Sequence, residues 1–269
     1  MLINGAPGNA VSIQDRGLLY GDGVFRTMLV RNHLVQHWPA HYKKLQQDCQ
    51  GIGLECPAEP LLRNELELVI QQRRNATAKI IITRGESARG YAPPASPRIT
   101  RIVTSGDVPE YPEANSRSGV RLHVCQLRLS HQPRLAGIKH LNRLENVLAA
   151  AEWSDPEIAE GLLLDQRGLV IEGTRTNLFC VKDGALFTPD LAQCGVAGLQ
   201  RERVIEWARL NGVDCQISSL TLHDLQSADE IFLVNSIIGL WPVQEMSGFH
   251  KEYHPTSKHI LEWLNHDVN

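Results

Sequence analysis

Apolar residues recur along this chain at two spacings. In AHYKKLQQDCQGIGL, residues 40–54, Tyr42, Leu45, Cys49 and Ile52 fall every three or four positions, the period of one helical face, and Gly51 marks the end of that helix. PLLRNELELVIQQRR, residues 60–74, predicts a second helix opened by Pro60, whose ring suits the first turn. AKIIITRG, residues 78–85, is a β-branched run that reads as a buried strand, and ITRIVTS at 99–105 supplies another. SGDVPEYPEANSRSG, residues 105–119, then mixes Pro, Gly, Ser and acidic residues with almost no aliphatics, the composition of a linker.

Past this break, GVRLHVCQLRL at 119–129 reads as a strand. From Leu141 onward, Leu141, Leu144, Leu148 and Ala151 predict a helix with one buried stripe. GLLLDQRGLVIEG and TNLFCVKDGALFTP read as hairpins turning at 166–168 and 182–184. GLQRERVIEWARL is a helix stopped by Asn211-Gly212, and DEIFLVNS at 229–236 is a further buried strand. Strands and helices are mixed rather than strictly alternating, which favours an α+β fold. The expected organisation is a smaller α/β domain over 1–108, a linker over 109–118 and a larger α/β domain over 119–269 that carries Lys139.

Composition narrows the function. The chain has 269 residues, 42% of them hydrophobic, enough to bury a sizeable core. A net charge of -3 from 27 basic and 30 acidic residues leaves no basic excess to hold nucleic acid or anionic lipid, so a small-molecule partner is expected. Six cysteines without a CxxC pair argue against a zinc or redox motif and fit reduced thiols. The start, MLINGAPGNAVSIQDRG, lacks a basic stretch followed by an apolar run, and no window is apolar enough to span a bilayer; a cytoplasmic protein is expected. His37 and His41, and His250 and His254, have a metal-compatible spacing. Pro39 and Pro255 interrupt or adjoin these pairs, and no metal is expected.

The residue that stands out is Lys139, led toward an interior by Ala136-Gly137-Ile138. A buried lysine becomes a nucleophile because burial favours the neutral amine, the form that attacks a carbonyl, so Lys139 is a Schiff-base candidate. Glu172 follows an apolar strand, where a carboxylate can hold a pyridine nitrogen protonated. Gly195 and Gly198 lead into a helix whose first amides, near Leu199 and Gln200, can bind an anion such as phosphate.

In order along the chain, DRGLLYGDGVF, TRGESARGY, AGIKHLNRLENVLA, IEGTRTNLF, GVAGLQR and NSIIGLWPV resemble the motifs of class IV, or fold type IV, pyridoxal-phosphate enzymes, a family that includes the D-amino acid aminotransferases. The resemblance covers nearly the whole chain. It implies a two-domain fold, a homodimer and pyridoxal 5'-phosphate held between the domains on Lys139, with Glu172 at the ring nitrogen. The phosphate would rest on Leu199 and Gln200, with Thr176 or Asn177 and Asn235 or Ser236 as further polar contacts. Lys44 stands where the family has a phosphate-binding arginine, and lysine keeps the charge but lacks the two-pronged fork. Arg89 with Tyr91, or Arg84, would take a substrate carboxylate. Arg26 stands where many relatives have an acidic or small polar residue and is a further candidate. The LAGIKHLNRLENVLA block is closer to the family's lyases than to its aminotransferases. That implies conversion of 4-amino-4-deoxychorismate to p-aminobenzoate and pyruvate, a step of folate biosynthesis. The alternative is an aminotransferase acting on D-amino or branched-chain amino acids.

Overall fold

The computed structural model describes residues 1–266, and the chain divides into two compact units. The first comprises Met1–Pro109 together with Ile138–Asn142. Its elements are β1 (Leu2–Ile3), β2 (Ala6–Pro7), α1 (Arg16–Tyr20), β3 (Gly23–Arg31), β4 (Leu34–Val35), α2 (Trp38–Gly51), α3 (Glu59–Ile70), β5 (Ala76–Thr83) and β6 (Thr100–Gly106). The strands form a six-stranded sheet, β2-β1-β6-β5-β3-β4, in which every pairing is antiparallel. Strand period sends Val24, Met28 and Val30 of β3 and Ala76, Ala78, Ile80 and Ile82 of β5 to one face, where they pack with Leu45 and Cys49 of α2 and Leu62 and Leu66 of α3. The stripe expected on α2 is thus the core-facing side of that helix, with Tyr42 and Ile52 partly buried at its margins.

The second unit comprises Glu110–Gly137 and, among the described residues, 143–266. It contains α4 (Ala114–Arg117), β7 (Val120–Leu129), α5 (Leu144–Ala150), β8 (Ile158–Asp165), β9 (Val170–Gly173), β10 (Asn177–Lys182), β11 (Ala185–Pro189), α6 (Leu199–Leu210), β12 (Cys215–Ser218), α7 (Leu222–Gln226), β13 (Glu230–Asn235), β14 (Gly239–Met246), β15 (Phe249–His250) and α8 (Pro255–His266). Its sheet runs β12-β11-β10-β13-β14-β7-β8-β9, with β15 on β14. The β11–β12, β14–β7 and β7–β8 pairs are parallel and the rest antiparallel, the mixture expected of an α+β fold. Both hairpins form. At the β10–β11 turn Asp183 and Gly184 both have positive φ, 51° and 78°, as the tight turn that matches strand twist requires.

Three expectations need correction. The segment read as a bare linker holds α4, whose turn is closed at Ser118 and Gly119 by hydrogen bonds to the Ala114 carbonyl. Ile138–Asn142, expected in the larger domain with Lys139, packs with the first unit. The helix after Lys139 begins only at Leu144, and two residues of its expected buried stripe, Leu144 and Leu148, lie open in the chain, 68% and 53% exposed, beside Val147 at 61%. Amphipathic spacing identifies an apolar face but not what covers it.

Three charged residues from the motifs lock together in the first unit. Asp22 accepts from Nε of Arg16 and from Nε of Arg84, each at 2.8 Å. Arg16 also donates to Ser87 Oγ and to the Gly90 and Tyr91 carbonyls, which fixes the turn after β5. Burial alone would raise the Asp22 carboxyl, but the Arg84 and Arg16 hydrogen bonds and charges hold it below the ordinary carboxylate value. A depressed folded pKa contributes stability above the unfolded value of about 3.9, and that contribution is lost as pH falls through the folded value. The stability difference between wild type and Asp22→Asn is therefore expected to be large at neutral pH and to shrink below about pH 4. Urea unfolding at several pH values checks this, and a difference that stays constant with pH would show that the Asp22 charge is not what stabilises the clamp.

Candidate active site

Lys139 is presented by a short antiparallel pairing with β3. Val24 stands opposite His140, Phe25 N donates to the Lys139 carbonyl at 3.0 Å, and Leu141 N donates to the Gly23 carbonyl at 2.9 Å. The side chain is half-buried and crosses the Phe25 ring, with Nζ 4.6 Å from the ring centroid; Lys79 Nζ lies 4.9 Å from the same centroid. Lys139 is therefore held by strand pairing in an aromatic surround rather than on the face of a helix.

Behind this segment lies a buried group of charges. Period-two alternation places Arg26 on the core face of β3 between Val24 and Met28, where its guanidinium pairs with Asp48 of α2 and reaches the Lys44 carbonyl at 3.5 Å. Arg26, Lys44 and Asp48 are all under 7% exposed. Desolvation raises the Asp48 carboxyl despite Arg26, the Lys139 backbone amide and Lys44, all of which act to lower it. Arg26 was expected beside the substrate; the structure turns it inward onto Asp48. Asp48 was not anticipated, although its place four residues after Lys44 is a helical ion-pair spacing that could have signalled it.

In the second unit Glu172 sits on β9, 3% exposed, and its Oε2 accepts from Val196 N at 2.9 Å. Val196 belongs to the loop Gly195–Gly198 that opens α6. Asn177 pins the same loop, donating from Nδ2 to the Val196 carbonyl at 2.7 Å and accepting from Gly198 N at 3.0 Å. Gly198 must lack a side chain, because a Cβ there would strike Asn177 Oδ1. Leu199 and Gln200 follow as the first two residues of α6, where no earlier helical carbonyl exists for their amides, so their N–H groups are oriented to bind an anion.

Thr176 and Asn235 have other engagements. Thr176 Oγ1 donates to the buried Glu160 at 3.2 Å. Asn235 Oδ1 accepts from the amides of Ile237 and Ile238, while Nδ2 donates to the Arg175 carbonyl. Together with Asn177 they order the backbone around the site, a role that sequence alone could not separate from ligand contact. The buried carboxylate of Glu172 suits a protonated ring nitrogen, and the α6 amides suit a phosphate, so the donor set of this unit fits pyridoxal phosphate.

The substrate candidates divide. Arg84, expected to meet a carboxylate, instead donates to Asp22, to the Gly53 carbonyl at 2.9 Å and to the Ile52 carbonyl at 2.8 Å, clamping the end of α2. Arg89 is exposed and lines a cavity of about 470 Å³ with Gln14, Tyr20, Glu86 and Arg98. Tyr91 is exposed and packs edge-on against Tyr20, ring centroids 5.3 Å apart. Arg98 is a second guanidinium at this cavity that the sequence reading passed over, because no motif marks it.

Residues 23–246 match the Amino-transferase class IV family. The chain is 37% identical to an aminodeoxychorismate lyase of Vibrio harveyi over 91% of this chain and 90% of that one. It is 29% identical to a D-alanine aminotransferase of Bacillus licheniformis over 89% and 84% of the two chains. The crystal structure of 4-amino-4-deoxychorismate lyase from Pseudomonas aeruginosa superposes with a TM-score of 0.95 at 42% identity, covering 99% of this chain and 98% of that one. With its ordered motifs, its mixed two-unit fold and a family match spanning most of its length, the chain belongs to the class IV aminotransferase family.

Proposed function

We propose that this protein is a pyridoxal-phosphate-dependent lyase that converts 4-amino-4-deoxychorismate to p-aminobenzoate and pyruvate. The observation that carries the reading is the near full-length likeness to the Pseudomonas aeruginosa lyase, at 42% identity. The presence of Lys139, Glu172 and the α6 helix start supports it. A cytoplasmic location accords with six free cysteines and with the absence, among the described residues, of a helix long and apolar enough to cross a membrane. The reading includes a homodimer, supported by the open apolar face of Leu144, Val147 and Leu148.

When bound, pyridoxal phosphate supplies an electron sink for the pair left behind as a C–H proton departs. The chain's residues do the rest. Lys139 binds the cofactor and, as a neutral amine at Nζ, takes the proton from the amine-bearing carbon of the substrate. Glu172 would hold a proton at the ring nitrogen, and the Val196 N–H keeps its carboxylate oriented. Asn177 fixes the loop whose Leu199 and Gln200 amides would hold the phosphate, to which Lys44 would add positive charge. Arg89 pairs with a substrate carboxylate, beside Tyr91. Lys139 then returns its proton to the methylene carbon of the departing enolpyruvyl group, which leaves as pyruvate while the substrate ring becomes aromatic.

The function test is direct. Purified protein incubated with 4-amino-4-deoxychorismate is expected to yield equimolar p-aminobenzoate and pyruvate with no added keto-acid acceptor, and borohydride is expected to fix the cofactor to the Lys139 peptide. Amino-group transfer to a keto acid, with no p-aminobenzoate, would establish the aminotransferase reading instead.

Glu172→Gln is expected to retain cofactor yet lose turnover by roughly a hundredfold or more, if the charge-assisted bond is worth ~3 kcal/mol in the transition state. Turnover near wild type would remove Glu172 from the mechanism. Lys44→Ala is expected to weaken cofactor binding by about 1.5 to 3 kcal/mol, the range for a hydrogen bond to a charged group, whereas Lys44→Arg should retain it. Titration of the apo-protein with pyridoxal phosphate measures both, and an Ala variant that binds like wild type would assign the phosphate to other ligands.

A further inference from the structure

Strand β7 carries His123 and Cys125 two residues apart, so both side chains leave the same face. Glu152, just beyond α5, folds back onto them. Its Oε1 accepts from Leu127 N at 2.8 Å, while Oε2 accepts from Gln126 N at 2.5 Å and lies 3.2 Å from His123 Nε2. One donor atom from each of His123, Cys125 and Glu152 lies within 4.8 Å of the other two. The pocket has a firm back wall. Cys125 is 1% exposed, a Cβ on Gly161 would come 2.7 Å from its Sγ, and the Trp153 ring leans on His123 with centroids 5.6 Å apart. The His123 and Glu152 side chains are 27% and 20% exposed, which gives a small ion a way in from solvent.

An imidazole nitrogen, a thiolate sulfur and a carboxylate oxygen suit a borderline-soft divalent ion far better than magnesium or calcium, which take oxygen ligands. Around a tetrahedral zinc the donors stand roughly 3.5 Å apart, so the three must draw in by about an ångström. His123, more exposed than Glu152, is the group placed to move. We propose that His123, Cys125 and Glu152 form a binding site for a divalent cation of the zinc class, with water in the fourth position, separate from the residues assigned to the lyase chemistry.

On binding, the sulfur–metal bond forms as the Cys125 S–H proton passes to solvent. The ion takes the place of the His123 ring beside Glu152 Oε2, which keeps its bond from Gln126 N. Because the ion must displace the thiol proton, affinity falls as pH falls.

Cobalt(II), a spectroscopic stand-in for zinc, tests the site. Chelator-treated holoenzyme titrated with cobalt is expected to bind one equivalent, with a tetrahedral cobalt spectrum and a thiolate-to-cobalt band in the difference spectrum that zinc abolishes. Cys125→Ser should lose the thiolate band, and His123→Gln should weaken binding at least about tenfold, the scale at which even outer partners of a metal ligand matter. Failure of wild type to give the band at one equivalent, or its survival in Cys125→Ser, overturns the proposal. Should the serine variant not fold, His123→Gln decides alone, and unchanged cobalt affinity there overturns it equally. p-Aminobenzoate formation is followed separately, so the lyase reading and the metal site stand or fall apart from each other.

Discussion

A carboxylate taken out of water is costly unless hydrogen bonds and a counter-charge replace its hydration, and Glu172 brings that constraint to the centre of the second unit. The Val196 N–H is one replacement, and it can reach only if the Gly195–Gly198 loop lies against β9. Gly195 adopts φ +87°, and a Cβ there would press on Ile171 and Leu191. A larger residue would lift the loop and leave the carboxylate without that donor. Asn177 holds the loop from below, so the start of α6 inherits its position from the same contacts. One buried charge thus fixes where the helix amides point.

The first unit meets the problem with ion pairs. Asp22 is shared by Arg16 and Arg84, and Arg26 is matched by Asp48. Such pairs add little net stability over an apolar substitute, but loss of one partner strands the other in a low-dielectric setting at a cost of several kcal/mol. Their value here is geometric. The Asp22 group ties the ends of α1, α2 and β5 to the turn that carries Arg89 and Tyr91, while the Arg26–Asp48 pair stiffens the β3 edge on which Lys139 is mounted.

The family's fold serves both lyases and aminotransferases, and the residues that hold the cofactor do not by themselves choose between them. On the proposed reading, the choice rests on where a proton goes after it leaves the substrate carbon. Arg89 and Arg98 line one cavity of the first unit, whereas Arg16 and Arg84 are occupied within the fold.

Much of this protein was legible from local pattern. The three-to-four spacing of Tyr42, Leu45, Cys49 and Ile52 fixed the core face of α2, the β-branched run fixed β5, and Asp183-Gly184 fixed a hairpin turn, because backbone preference and amphipathic period act over a few residues. The order of the motifs identified the family. What the sequence could not supply was everything set by residues distant along the chain. The apolar stripe after Lys139 is real, yet it faces outward from the chain, and Ile138–Asn142 pairs with β3 more than a hundred positions earlier. Arg84 looks identical in sequence whether it meets a substrate or the carbonyls of Ile52 and Gly53. Glu152 and His123 meet because α5 folds back on β7, which no spacing encodes. A guanidinium or carboxylate carries the same charge wherever it stands, and only the folded chain decides which partner replaces its water.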